Sequence, residues 1–433
     1  MQVSVESDGG LKRRMKVQVP AERIDKEVDN RLRSLGKKAK LPGFRPGKVP
    51  FKVMRQQYGE QVRAEVVNEV VRETWSEALE KEALRPAGGP EISSLDSEPG
   101  KELEYEAAFE IYPEIELKSL EGESIERPKV EITDEDVDAM LENLQRQHGE
   151  WKPVERAAAD GDQVRIDFEG KVDGEPFEGG SAEGVEVELG AGRLLADFEK
   201  GLKGVEAGQE LEVKVKFPKD YGSEEVAGKK GVFQVKVHEV KALELPELDD
   251  SFCERFGITE GGVDKLREEV RNNMDAELEQ TVRGNVREQV LEKLLAKNEI
   301  DVPTAMVDQE IQSLRQDTMQ RMGVSDPDKA PDMPDEMFRD QAERRVRVGL
   351  LMGEVIRKHE LKPDEAHIDK VLERVTAGQE NADELARQYK ANPQAMQQLQ
   401  TMALEEQVIE KLMGELEIKE VEKPFREVMN FAQ

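Results

Sequence analysis

The chain is 433 residues long, enough for two to four domains at roughly 100–200 residues each. Asp and Glu number 95 against 64 Lys and Arg, for a formal charge of −31, and charged residues make up 37% of the chain against 5% aromatics. No apolar run approaches the ~18–20 residues of a spanning helix, the opening MQVSVESDGG lacks a basic stretch followed by an apolar one, and the single Cys253 excludes an internal disulfide framework or a cysteine-built metal site. These features predict a protein with no membrane span and no secretory leader, in a reducing, cytoplasmic setting. They also argue against a DNA coat, because the surface as a whole repels phosphate.

Residues 1–50 break the acidic pattern. They carry 13 bases against 6 acids, which leaves −38 on the remainder. Such asymmetry predicts one end that seeks a polyanion while the rest stays soluble and is repelled. A solvated basic face is the plainer reading of the same run.

In chain order, residues 1–7 and 13–19 read as short strands around the turn signal Asp8-Gly9-Gly10, and Met15, Val17 and Val19 alternate with polar neighbours. Residues 21–35 read as a helix on Ile24, Val28, Leu32 and Leu35. A loop over 37–50 leads into a long helix from about 51 to 85, with Val53, Tyr58, Val62, Val66, Val70 and Trp75 near one stripe. Residues 102–117 alternate again and predict a strand, closing an α+β domain over 1–117. Residues 118–150 read as a linker arm, extended over 123–132 and helical over 134–147. Over 151–245 glycine is dense and VRIDFEG, VEVEL, LEVKVKF and VFQVKVHEV alternate, which predicts a compact antiparallel β domain. From 246 to 433 the chain reads as helical to its end, an elongated all-α domain of four or five long helices. Its first stripe, Val263, Leu266, Val270, Met274, Leu278, Val282, Val286, Val290 and Leu294, steps mostly by four and therefore drifts around the helix. Breaks fall at 301–303, 325–334, 362–363 and 392–393. The fold class is multidomain α+β.

The loop Gly43-Phe44-Arg45-Pro46-Gly47-Lys48-Val49-Pro50 holds an aromatic between cations, with Lys37, Lys38 and Lys40 just before it. Prolines lower its entropy and glycines permit the turn. An exposed Phe beside Arg suits a partner that offers phosphate and an apolar spot; an ordinary interhelical loop with Phe44 packed inward is the alternative. Gly-Phe-Arg-x-Gly-x-x-Pro in a strand–helix–loop–helix module resembles the signature of the bacterial trigger factor family, and the order of basic head, compact β domain and long helical part is similar to that family over essentially the whole chain. The resemblance implies an ATP-independent, ribosome-associated chaperone. The loop would dock on the large subunit beside the tunnel exit, touching ribosomal protein and RNA through Phe44 and Arg45. Gly43, Gly47, Lys48 and Pro50 would shape or support it. A common family form has Lys where this chain has Pro46, so one cationic contact is replaced. Nascent and unfolded polypeptides are the implied partners, a homodimer off the ribosome is admitted, and a cell-division role follows from the family alone.

Within 151–245, Val164 to Gly170, Gly174 to Glu178, Leu194 to Glu199, Tyr221-Gly222 and Val232-Phe233 resemble an FKBP-type peptidyl-prolyl isomerase. That resemblance implies an apolar cup for the proline ring from Phe168, Phe177, Val185, Leu195, Phe198, Tyr221 and Phe233, with Glu178 as a further residue of the site. Glu178 stands where the family often has Asp, Phe198 where many members have Trp, and Asp197 where many have Gly. Rotation about a peptide bond must cross about 18–20 kcal/mol, and a dry cup that favours the twisted amide needs no nucleophile, metal or cofactor. Aromatics at strand spacing are otherwise ordinary core.

Eleven of the 15 methionines lie in 246–433. Flexible, polarizable Met suits surfaces that accept many partners, and it also fills gaps between helices. His148, His238, His359 and His367 have no zinc-ligand spacing, and Gly190-Ala191-Gly192 lacks the rest of a dinucleotide loop. A free FKBP-type isomerase with a substrate-recruiting helical part, and an acidic adaptor with no folding role, are the competing readings.

Overall fold

The computed structural model describes residues 1–433 except 39–40, 42–43, 45–47, 97, 99, 220, 222, 224–225, 325–330, 378–380 and 430–433. The chain divides into two compact units, one of Met1–Arg127 with Asn285–Lys419 and one of Pro128–Gly284 with Glu420–Gln433.

The first unit begins with strands β1 (Gln2–Ser7) and β2 (Lys12–Val19), helices α1 (Ala21–Lys38) and α2 (Phe51–Lys81), and strands β3 (Glu91–Asp96) and β4 (Leu103–Glu110). The strands form an antiparallel sheet in the order β1-β2-β4-β3. Alternation does the work expected of it: Met15, Val17 and Val19 from β2 and Leu103, Tyr105 and Ala107 from β4 point into one core with Ile24, Val28 and Leu32 of α1 and Val62, Val66 and Val70 of α2. The strand expected over 102–117 stops at Glu110, and only an isolated bridge from Ile111 to Pro86 follows. Pro113 supplies no donor to continue a ladder. The segment beyond is held by side chains instead. Lys358 Nζ donates to Leu117 O at 3.3 Å, Asn298 Oδ1 accepts the Lys118 amide at 2.8 Å, and Glu415 Oε2 accepts the Leu120 amide at 3.0 Å. Strand β3 has no counterpart in the sequence reading, because EISSLD carries no apolar alternation.

The second unit starts from strand β5 (Ser124–Lys129), which bridges the division, and helix α3 (Asp134–Gln147). Thr133 and Asp136 cap α3 reciprocally. The sheet then comprises β6 (Glu150–Pro153), β7 (Gln163–Val172), β8 (Glu175–Glu188), β9 (Glu210–Lys216) and β10 (Lys230–Glu244), with the short helix α4 (Ala196–Leu202) between β8 and β9. The order is β6-β10-β7-β8, with β9 also on β10, and all pairs are antiparallel. Helices α5 (Asp250–Glu254) and α6 (Gly262–Lys297) follow.

Helix α6 runs through the boundary between the units at Gly284 and Asn285. Its drifting stripe accordingly serves two cores: Leu266, Val270, Met274 and Leu278 bury against Ile132, Leu141, Phe252 and Phe425 in the second unit, and Val286, Val290 and Leu294 are buried in the first. The remaining helices of the first unit are α7 (Thr304–Arg321), α8 (Glu336–His359), α9 (Glu365–Thr376), α10 (Ala382–Ala391) and α11 (Pro393–Met413). They meet the expected breaks at 301–303, 362–363 and 392–393; most of the break at 325–334 lies outside the described residues. The expectation of helix to the chain end is corrected once, by strand β11 (Glu417–Glu422) on β5, before a last turn α12 (Phe425–Val428). EIKEVE is charged and almost wholly exposed, so no apolar period announces it. Among the described residues no helix is long and apolar enough to cross a membrane.

Candidate functional sites: an aromatic cluster and a basic loop

Five phenylalanines from separate elements converge on the inner face of the second unit's sheet. Phe233 on β10 is the hub: its ring centroid lies 5.1 Å from Phe198 on α4, 6.0 Å from Phe168 on β7, 6.2 Å from Phe177 on β8 and 6.4 Å from Phe217. Most of these pairs meet edge to face, the arrangement that ring quadrupoles favour. Phe198, Phe217 and Phe233 are buried, while Phe168, Phe177, Val185 and Leu195 are half-buried at the rim. Leu195 starts α4, and Phe198 N–H donates to Leu195 O at 2.8 Å, which places the Phe198 ring one turn in. Tyr221 is 41% exposed with its ring 5.0 Å from Phe217. No partner holds its hydroxyl among the described residues. Glu178 is exposed beside the rim.

Three strand glycines make this packing possible. A Cβ at Gly170 would stand 2.7 Å from Phe233 Cδ1, one at Gly180 would stand 2.8 Å from Phe177 Cε1, and one at Gly231 would stand 2.9 Å from Phe217 Cε2. Phe233 and Phe177 lie over backbone where no side chain fits, and Phe217 brings a ring edge to Gly231. Phe217 is the member that sequence reasoning missed. Its signal was present, as the last apolar position of LEVKVKF before Pro218, but only the register of β9 on β10 brings it to the hub. His238, read in the sequence only as lacking zinc-ligand spacing, places its Nε2 2.6 Å from Asp167 Oδ2. Asp167 Oδ1 accepts the Gly184 amide at 2.7 Å, and these two hydrogen bonds, the amide first, hold the Asp167 carboxyl below its ordinary range. Among the described residues no group of three or more His, Cys, Asp or Glu is placed to hold a metal ion. The cluster therefore offers apolar surface with an exposed phenol at its edge.

The second candidate lies between α1 and α2. Phe44 is 39% exposed, and its amide donates to Leu41 O at 3.1 Å. Lys48 is exposed. Gly43, Arg45, Pro46 and Gly47 lie outside the described residues. The surrounding charge is unevenly neutralised. Away from the loop, Arg23 pairs with Glu73 and Glu77, Arg31 with Glu69 and Arg63 with Asp25, while Lys26, Arg72 and Lys81 have no ion pair among the described residues. Near the loop, Lys37, Lys48, Lys52 and Arg55 have no ion pair among the described residues, and the Arg33 guanidinium sits 5.7 Å over the Phe51 ring. That end of the helix pair combines uncompensated positive charge with an exposed phenyl ring.

Of the predicted site residues, the structure brings Phe168, Phe177, Leu195, Phe198 and Phe233 into one cluster with Val185, and Tyr221 at its edge through Phe217.

Comparison with known proteins matches the chain in three parts. Residues 1–144 match the family described as bacterial trigger factor protein, residues 154–238 the FKBP-type peptidyl-prolyl cis-trans isomerases, and residues 262–414 the bacterial trigger factor C-terminus. A trigger factor of Colwellia psychrerythraea is 47% identical over 431 residues, covering 99% of each chain. One of Pseudoalteromonas atlantica is 46% identical over 433 residues, again covering 99% of each. A solved structure described as that of the trigger factor chaperone aligns over 96% of this chain and 100% of its own, at 19% identity and a TM-score of 0.48. With curated relatives this similar from end to end, the chain belongs to the bacterial trigger factor family, ribosome-associated chaperones that carry a peptidyl-prolyl isomerase domain.

Proposed function

We propose that the chain docks beside the tunnel exit of the large ribosomal subunit through residues 43–48. In this reading the Phe44 ring enters an apolar spot on ribosomal protein, Arg45 pairs with phosphate or carboxylate, and Gly43, Pro46, Gly47 and Lys48 shape or support the loop. The observation that carries it is the exposed Phe44 beside Lys37, Lys48, Lys52 and Arg55, cations with no ion pair among the described residues. Phosphate contacts release counterions and weaken steeply with salt, whereas burial of a phenyl ring does not. Phe44→Ala combined with Arg45→Ala should abolish co-sedimentation with ribosomes at low and high salt and leave isomerase activity untouched. Normal co-sedimentation of that variant refutes docking through this loop.

The isomerase step is assigned to Phe168, Phe177, Glu178, Val185, Leu195, Phe198, Tyr221 and Phe233. The rim rings and Val185 receive the proline ring, the buried rings keep water from the X–Pro amide, and the Tyr221 hydroxyl holds the substrate by donating to a carbonyl other than that of the rotating amide. Stripping water from the X–Pro amide weakens its planar, charge-separated form and favours the twisted transition state. Phe198→Ala should remove turnover of a short X–Pro peptide; unchanged turnover means the cup is misassigned.

Nascent chains are held by apolar helix surface in the first unit, where Met322, Met337 and Met402 are 56%, 67% and 42% exposed. Cytoplasmic residence, and a homodimer off the ribosome in which a second copy covers that surface, complete the reading. The runner-up, a free isomerase, leaves the cationic, aromatic-tipped loop without a use.

A further inference from the structure

Strand β7 is flanked by a bulge on each side at one place. On the β8 side, Ile166 pairs with Val185 and Phe168 with Ala182, so Glu183 and Gly184 together face Asp167 alone. On the β10 side, Val237 pairs with Ile166 and Glu239 with Arg165, so His238 is the extra residue. A bulge takes the extra residue's backbone out of the ladder. At the first bulge the Gly184 amide, at φ +65°, donates to Asp167 Oδ1 at 2.7 Å. The second bulge turns His238 Nε2 to within 2.6 Å of Asp167 Oδ2. One carboxylate thus spans β7 and ties the two bulges together.

The bulges decide which side chains reach the cup. Ala182 and Val185 are three apart and would face opposite sides of a regular strand; the insertion returns both to the inner face. Val185 there packs against the aromatic core. Val237 and Val240 are likewise three apart and both buried. Further along β8 a second irregularity, between Glu169↔Ser181 and Lys171↔Pro176, carries Phe177 and Glu178. The β8 wall therefore hangs between two irregular points, and Asp167 secures the one beside Val185.

We propose that Asp167 is a positioning residue for the isomerase: anchored by His238, its carboxylate holds the Gly184 bulge and so sets the β8 wall of Val185 and Phe177 against Phe168 and Phe233. This rests on the assignment of the cup made above. The carboxyl is held ionised at neutral pH by the Gly184 amide and His238, which is the state that accepts from both. A surface pair as such is worth little; here one of the two bonds goes to backbone whose position fixes the register.

The test uses the full chain, a short X–Pro peptide and amide exchange at Gly184. Asp167→Ala should lower kcat/KM about tenfold, less than the ~10²-fold of a full 1 Å misplacement, and should speed Gly184 exchange. Asp167→Asn keeps an acceptor for Gly184 and an N–H that a ring nitrogen of His238 can accept, so it should recover both readouts. Parental turnover in Asp167→Ala, or failure of Asp167→Asn to recover what Asp167→Ala loses, overturns the proposal. Should Asp167→Ala lose exchange protection throughout β9 and β10, the decision passes to His238→Leu. A loss of turnover there that His238→Gln restores supports the proposal, and no loss overturns it. Phe198→Ala separates the two readings. If turnover survives Phe198→Ala, the cup assignment fails; if Phe198→Ala abolishes turnover while Asp167→Ala changes nothing, only the positioning role fails.

Discussion

Replacing Gly170 by alanine would set a methyl carbon against the face of Phe233, 2.7 Å from Cδ1 and 2.9 Å from Cζ, with Cε1 closer still. Ordinary carbon contacts lie at ~3.5–4.0 Å, so the ring must recede by about 1 Å. It has little freedom to do so, because its centroid is held between 5.1 and 6.4 Å from four other rings in an interior packed as densely as an organic crystal. Overpacking of this kind costs about 1–3 kcal/mol. A ~1 Å displacement of a surface that must match a transition state costs up to ~10²-fold, so kcat/KM on a short X–Pro peptide should fall by about 10- to 100-fold. Stability is best read by native-state amide exchange of β7 and β10 in the full chain, since one unfolding midpoint would mix two units. Exchange free energies lower by about 1–3 kcal/mol, with turnover down as stated, are the expected pair. Exchange and turnover both within twofold of the parent would refute the inference that this glycine sets the ring and the ring sets the cup.

The helical part supplies two further tests. Both ring nitrogens of His367 face carboxylates: Nδ1 is 2.8 Å from Asp364 Oδ2, at the start of α9, and Nε2 is 3.1 Å from Glu410 Oε2 on α11. That arrangement raises the pKa of His367, through Glu410 first and then Asp364. A raised value contributes stability that is fully present below ~6.5, the unfolded value, and is lost as pH rises through the folded one. Exchange protection in α9 should therefore decline from pH 6 toward alkaline pH, and His367→Gln should flatten that profile; an unchanged profile in the variant counts against the pair. Gly349 sits inside α8 with nothing within 4 Å of an added Cβ. Gly349→Ala should accordingly stabilise the α7–α8 pair by roughly 0.5–1 kcal/mol, and a loss of stability would show a contact that the structure does not contain.

Much of this protein was legible in the chain. Periods of two and four located the strands and helices, because alternation and helical spacing follow from local backbone geometry. The +7 head on an acidic body, and the prolines and glycines around Phe44, marked the loop without coordinates. What tertiary structure decided are relations between distant segments. Nothing near Phe168, Phe177, Phe198, Phe217 or Phe233 states that they meet; strand register and two bulges do that, and a bulge of one residue leaves no trace in an apolar pattern. Strands β3 and β11 escaped for the related reason that their partners, not their composition, make them strands. Likewise the thirteen bases of the head look equivalent in sequence. Only the packing of α1 on α2 pairs Arg23, Arg31 and Arg63 with carboxylates and leaves the loop end positive, because whether a charge is neutralised depends on distances across the fold rather than along the chain.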